Sequence, residues 1–280
     1  MLNTFTVDKL SEIVNSDMKE AVSKFEENHF QWVKTDKNSF SFWYPYVKAS
    51  GVPSPESIVI QRFVDFWTLI EPMHYRKFVG LLEKETKNLD KLAQMIHLAA
   101  SQLGFPAFLR NGHGSNKHDF SNSCLLLDDP TDVKNKVFST IDFIFGTDRV
   151  HSMHEWVVRE YIEPDTELTA PHFGDMPLRK ERRYFILNGK VIGHSEYWIE
   201  EALEGQGINP EVLKAINQET EEEVELLTGY AEAIGSKLNG FWSIDFMWGR
   251  GQWWCIDMAT GESSWVHPRI KGDVYKALAD

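Results

Sequence analysis

Cysteine is scarce: two residues, Cys124 and Cys255, stand far apart in a chain of 280. Two isolated thiols exclude a disulfide scaffold and a Cys-x-x-Cys zinc or redox motif, and they suit a reducing compartment. No run of 18 apolar residues occurs, and the first ten residues lack a basic region followed by an apolar stretch, so neither a spanning helix nor a secretory leader is expected. Basic residues are outnumbered, 29 Lys and Arg against 42 Asp and Glu, for a formal net charge of -13. That balance gives nucleic-acid phosphate no general attraction. The expectation is a soluble, cytoplasmic protein with no membrane partner. Internal repeats and low-complexity segments are also lacking.

What is present fits a well-filled core: 42% of residues are apolar and 13% aromatic, which argues against a disordered chain. The first part, to residue 87, mixes short amphipathic helices with aromatic segments such as Phe40 to Pro45. After the Pro53-Ser-Pro55 loop, Ser57 to Trp67 reads as a strand, although Val64 to Ile70 equally suits the start of a helix. From Asn88 to Leu103 apolar residues recur at helical spacing, with Asn88 placed to cap the start and Gly104 and Pro106 to stop it. Ala107 to Arg110 is a short strand, residues 137 to 145 form a further apolar segment, and Glu155 to Ile162 reads as a strand ending at Pro164. Two hairpins follow. Asn188-Gly189 joins Arg182–Leu187 to Lys190–Trp198, and Gly249-Arg250-Gly251 joins Phe241–Trp248 to Gln252–Met258. Between them a long acidic helix is expected from Pro210 to Ile234, ended by Gly235, its run from Glu219 to Glu225 forming a solvated face.

The second hairpin carries the strongest chemical signal. A turn symmetric about Gly251 places Asp245 directly across from Asp257, with Cβ atoms roughly 5 Å apart, and like charges so placed need something positive between them. A divalent cation is one answer, because magnesium is commonly held by one or two carboxylates plus phosphate oxygens. Pairing of each aspartate with an arginine, or protonation of one of them, is the other. Large apolar neighbours, Trp242, Ile244 and Phe246 in one strand and Trp254, Ile256 and Met258 in the other, place both carboxylates near a core, where they require partners.

Other candidates are weaker alone. In Gly112-His-Gly114-Ser115 the glycines permit the close approach and positive φ of a phosphate nest, flanked by Arg110 and Lys117; an ordinary surface turn fits the same residues. The strand end Arg159-Glu160-Tyr161-Ile162 offers backbone groups for an adenine edge and a carboxylate for ribose hydroxyls, or it is a plain edge strand. Arg183 shares a strand face with Phe185 and Leu187, opposite Tyr184 and Ile186. An inward arginine there either neutralises a phosphoryl group or pairs with Glu181 or Asp257. His151 and His154 have metal-like spacing with no third ligand, and read as structural or solvated.

Taken in order, Arg110, the glycine loop with Lys117, Arg159 to Ile162, Glu181-x-Arg183, the Asn188-Gly189 hairpin leading to Ser195-Glu-Tyr197, and the Asp245/Asp257 hairpin resemble the ATP-grasp superfamily. The resemblance is to a clade of small ATP-grasp proteins of phage and bacteria, and more distantly to the cell division cycle protein 123 family, over residues 53 to 268. It implies an α+β fold in which two α+β lobes clasp ATP: an N-terminal pre-ATP-grasp region at 1–87, a smaller lobe at 88–162 and a larger lobe at 163–280. Residue by residue, it implies Arg110, Gly114, Ser115 and Lys117 at the ATP phosphates, and Glu160, Tyr161 and Ile162 at adenine and ribose. Asp245 and Asp257 would hold magnesium, and Arg183 would face the γ-phosphate or an acyl phosphate, with Lys117 and Arg183 as the catalytic cations. One departure stands out. The family's last metal motif has Asn two residues after the carboxylate, where this chain has Ala259; Thr260 and Glu262 are candidates to substitute.

The expected function is therefore an ATP-dependent carboxylate-amine ligase working through an acyl phosphate, with a peptide or protein among the candidate substrates. The alternative is an ATP-binding assembly factor or interaction module with little turnover. A kinase or nucleic-acid ligase is a third reading, disfavoured by the absent kinase motif set.

Overall fold

The computed structural model describes residues 35–61, 87–146, 155–166, 168–205 and 207–279. The expected strand beyond residue 61, the alternative helix from Val64, and His151 and His154 lie outside them. Two antiparallel sheets organise the chain. The first has four strands in the order β1 (Ser57–Gln61), β4 (Glu155–Glu160), β2 (Ala107–Asn111), β3 (Leu125–Leu126). The second has five, in the order β10 (Gln252–Thr260), β9 (Phe241–Gly249), β7 (Glu181–Leu187), β8 (Lys190–Glu196), β11 (Lys271–Gly272). A two-stranded ribbon, β5 (Thr169–Ala170) with β6 (Met176–Pro177), lies between them in sequence.

Each sheet is covered by helices whose apolar spacing explains the packing. Helix α2 (Lys87–Leu103) buries Leu89, Leu92, Ala93, Ile96, Ala99 and Ala100 against the first sheet and against α3 (Pro130–Gly146). Asn88 falls inside α2 rather than capping it, while Gly104, at φ 95°, ends the helix by donating its N–H to Ala100. The apolar segment 137–145 lies in α3, which buries Val133, Val137 and Ile141 at helical spacing. Helix α1 (Phe40–Ser50) joins the core of the second sheet through Phe40, Trp43 and Val47.

Both hairpins turn on two residues of positive φ, Asn188-Gly189 at 49° and 82° and Arg250-Gly251 at 51° and 72°, the twist that suits a two-residue link. The second turn is therefore not symmetric about Gly251: Gly249 pairs with Gln252, and Phe246 with Cys255. A bulge between Cys255 and Asp257 then shifts the register by one, bringing Asp257 opposite Asp245. The expected juxtaposition is present, produced by the bulge rather than by the turn.

The expected single helix from Pro210 to Ile234 is two, α4 (Pro210–Asn217) and α5 (Glu221–Gly235). Arg182, fully buried, donates Nη2 to the carbonyls of Ile216 and Gln218 at 3.1 and 2.9 Å, satisfying the end of α4, while Thr220 caps α5 by accepting the Glu223 N–H. The same guanidinium holds Glu223 at 2.7 Å, and Glu219 lies 3.6 Å from it. Glu219 and Glu223 are thus partners of a buried cation, not members of a solvated face. Arg182→Met should leave Glu223 buried with only the longer Lys180 contact, 3.8 Å away, costing about 3 kcal/mol of stability, read as a lowered urea midpoint.

Candidate functional site

A cleft is lined from both sheets: Phe108 and Arg110 of β2 and Arg159 and Glu160 of β4 on one side, Glu181 of β7, Asp245 and Met247 of β9 and Asp257 of β10 on the other. Ser115, Lys117, Phe120, Tyr161, Ile162, Met176 and Arg179 also line it. Gly249 permits the crossing between the sheets at Ile162, because a Cβ there would meet Ile162 Cγ2 at 2.7 Å.

Three ion pairs order the cleft, two of them across it and one within the five-stranded sheet. Arg110, buried, donates Nη1 to Asp257 at 2.9 Å; Arg183 binds Asp245 through Nε and Nη2, both at 2.7 Å; Lys117 donates to Glu181 at 2.9 Å. Arg183 and Asp245 are directly opposed across β7 and β9, so cross-strand geometry alone brings this fork onto its carboxylate. Burial opposes the charge on Lys117 and Arg183, but Glu181 beside the first and Asp245 beside the second outweigh it and raise both above their ordinary values. Tyr197 adds a ring 3.6 Å from Lys117 Nζ and 4.9 Å from the Arg183 guanidinium carbon. The arginine partners are the second of the two answers the sequence left open for the aspartates. Among the described residues no three His, Cys, Asp or Glu side chains gather as a metal-binding group; the carboxylates lining the cleft are Glu160, Glu181, Asp245 and Asp257.

Two further cations form no carboxylate ion pair among the described residues. Arg159 donates to the Ile256 carbonyl at 2.5 Å and to Ser57 Oγ at 3.3 Å, yet its Nη2 is buried without a partner. Burial, and then Arg110 next to it, lower its pKa to about 10. Arg179 donates to the Ile162 carbonyl at 2.5 Å and to Tyr161 Oη at 3.3 Å, its pKa lowered by burial. The cleft lining carries four cations and four carboxylates, and two of the cations, Arg159 and Arg179, stand outside its ion pairs.

Of the residues singled out from sequence, Arg110, Ser115, Lys117, Glu160, Tyr161, Ile162, Asp245 and Asp257 line the cleft. Arg183 reaches it through Asp245. Gly114 does not line it: its N–H and that of His113 both donate to Asn111 Oδ1, at 2.8 and 2.9 Å, and neither Gly112 nor Gly114 has the positive φ of the expected nest. Glu160 is engaged by Arg250, which also donates to the Tyr161 carbonyl at 2.6 Å. Sequence reasoning missed Arg179, Phe108, Phe120 and Met176. Phe108 stood one strand repeat from Arg110, on the same face, and was findable on that ground; Arg179 carried no local signal.

Beyond Arg183, Nη1 reaches the Trp265 carbonyl, and the Trp265 ring contacts buried His267, whose Nδ1 accepts the Arg269 N–H. Burial holds His267 and His194 below the ordinary histidine value, against the pull of Glu196 on the first and Glu219 on the second; Arg269 reinforces the one depression, and Lys271 with Arg182 the other. With folded values below the unfolded value of about 6.5, the unfolded chain takes up these protons first. Their contribution is complete above about pH 6.5 and is lost as pH falls through the folded values. Urea midpoints should drop on acidification below that point, and a His194→Gln, His267→Gln double variant should drop less.

No family model matches the chain, and no curated protein does. Solved structures do match. Cdc123 from Schizosaccharomyces pombe, in its C-terminally truncated form, is 14% identical over 80% of this chain and 83% of its own, with TM-score 0.53; the structure without that truncation gives 0.52 over the same shares. D-alanyl-alanine synthetase A from Vibrio cholerae is 14% identical over 81% of this chain and 56% of its own, at TM-score 0.43. N5-carboxyaminoimidazole synthase from Aspergillus clavatus is 10% identical over 81% and 45%, at 0.40. No helix of the described residues is long and apolar enough to cross a membrane. The chain has an α+β fold and shares that fold with Cdc123 from Schizosaccharomyces pombe.

Proposed function

We propose that this cleft binds ATP with magnesium and that the chain is an ATP-dependent carboxylate-amine ligase, phosphorylating a carboxylate so that an amine can displace phosphate from it. The observation that carries the reading is the uncompensated cation: Arg159 with a buried, unpartnered Nη2, close to Arg110, in a cleft that also holds Lys117 and Arg179. Buried guanidinium without an anion is costly, and polyphosphate oxygens match its fork. The apolar part of the lining, Phe108, Phe120, Met176, Met247 and Ile256, suits a base.

In this reading Arg110, Lys117 and Arg159 take phosphate oxygens, with Ser115 beside them and Gly114 shaping the loop behind. Glu160 and the backbone of Tyr161 and Ile162 take ribose and adenine. Asp245 and Asp257 would hold magnesium, which supplies positive charge against the phosphates. Arg183, whose fork Asp245 now occupies, turns to the transferring phosphoryl group, where a preorganised cation lowers the barrier most. Calorimetric titration of ATP into the protein should show binding that requires magnesium and weakens in Asp245→Asn and Asp257→Asn. No binding by the unaltered protein would return the arginines to a structural role. ADP release that depends on an added carboxylate tests the ligase step.

Ala259 favours a second reading, an ATP-binding assembly factor. It lies two residues beyond Asp257 on the same strand face, opposite Ser243, and puts a methyl where a third ligand would stand. A partner complex that needs ATP but not its hydrolysis would support that role over the ligase.

A further inference from the structure

Arg110 and Arg159 lie diagonally on one face of adjacent strands, since Arg110 pairs with Val157 and Phe108 with Arg159. Two buried guanidiniums so placed repel each other, and Asp257 and the Ile256 carbonyl are the acceptors between them. A third group serves both. The Phe40 ring, fully buried at the start of α1, is 5.5 Å from the Arg110 guanidinium carbon and 5.4 Å from that of Arg159, within the range where the negative face of an aromatic ring attracts a cation. Tyr44 stacks on Phe40 with centroids 4.5 Å apart and ties down its own hydroxyl on the Pro55 carbonyl.

The helix that delivers this ring is anchored to both lobes. Its body packs in the core of the five-stranded sheet with Leu227, Ala231 and Trp242. Its start is bonded to the four-stranded sheet: Phe40 N–H donates to the Gly112 carbonyl at 2.8 Å, and Ser39 Oγ and Ser41 N–H donate to the buried carboxylate of Glu155, each at 3.2 Å. Phe40 is absent from the cleft lining, so it acts behind the guanidiniums.

We propose that Phe40 is a positioning residue for Arg110 and Arg159, so that α1 sets the affinity of the cleft for polyphosphate from outside it. The inference rests on the nucleotide reading given above. With the ring in place the arginines are held close together and aimed at one ligand before it arrives, which lowers the cost of ordering them on binding. Without it, Arg110 keeps the Asn111 carbonyl, Asp257 and the Trp43 ring, and Arg159 keeps Ser57 and the Ile256 carbonyl, but the ring that contacts both is lost.

The test titrates the full chain with magnesium-ATP, inorganic tripolyphosphate and adenosine. Binding of ATP by the unaltered protein tests the nucleotide reading on its own. Given that binding, Phe40→Leu, which keeps the burial and loses the π face, should weaken ATP and tripolyphosphate by about tenfold and leave adenosine unchanged. Pentafluorophenylalanine at position 40, of nearly the same shape but reversed ring polarity, should do the same in a chain that folds normally. Val47→Ala, on the same helix and in the same core but away from the arginines, should lower the urea midpoint and leave all three affinities alone. Unaltered tripolyphosphate affinity in the fluorinated protein, or equal losses in Val47→Ala, would overturn the assignment.

Discussion

Arg110→Met is expected to weaken magnesium-ATP binding about a hundredfold or more, as truncation of a desolvated, hydrogen-bonded charge generally does. The side chain is 2% exposed and is held at two points, Nε on the Asn111 carbonyl and Nη1 on Asp257. Methionine fills similar volume but leaves Arg159 as the one guanidinium on that face. The free protein should lose less, about 2 kcal/mol, because Asp257 is 31% exposed and water can solvate the carboxylate left behind. Arg110→Lys should recover stability better than affinity, since a lysine supplies the charge without the planar fork. Calorimetry and urea unfolding on the same preparations separate the two effects. An Arg110→Met protein that binds ATP as before would move the phosphates elsewhere.

The parts of this architecture legible in the sequence are those set by local chemistry. Asn188-Gly189 demands two residues of positive φ and found them; the periodic apolar residues of Leu89 to Ala100 bury one helix face. What could not be read locally is what distant side chains do to the backbone. The Pro210 to Ile234 pattern is continuous in sequence, and its break comes from Arg182, which claims the carbonyls at the end of α4. The acidic run after it looked solvated for the same reason: nothing nearby in sequence shows that Glu223 faces a buried guanidinium.

The candidate site divides in the same way. A symmetric turn predicts Asp245 opposite Asp257 from the sequence, whereas the protein reaches that pairing through a two-residue turn and a bulge at Ile256, whose carbonyl then serves Arg159. The glycine loop suggested free N–H groups, but Asn111, next to it in sequence, takes two of them. Phe40 was visible as one of an aromatic cluster, with no means of knowing that its ring lies against two arginines more than sixty residues away. Opposite charge on separate strands is paired by the fold, and only the strand register reveals it.

Asp245→Asn should produce two effects of opposite sign, which makes it the sharpest separation of a binding site from a structural ion pair. In the free protein Asp245 is 4% exposed and satisfies the Arg183 fork at both Nε and Nη2. Asparagine accepts one of those bonds and carries no charge, so the unliganded protein should lose about 3 kcal/mol by urea unfolding. Magnesium-ATP should bind about tenfold or more weakly, because one of two carboxylates available to the metal is gone. Tripolyphosphate without magnesium should bind more tightly than to the unaltered protein, because Arg183 no longer has a carboxylate to surrender before it meets phosphate. A purely structural pair predicts the loss of stability and nothing else; a polyphosphate site predicts that adding tripolyphosphate restores most of that stability, since a ligand that binds only the folded state raises it by mass action.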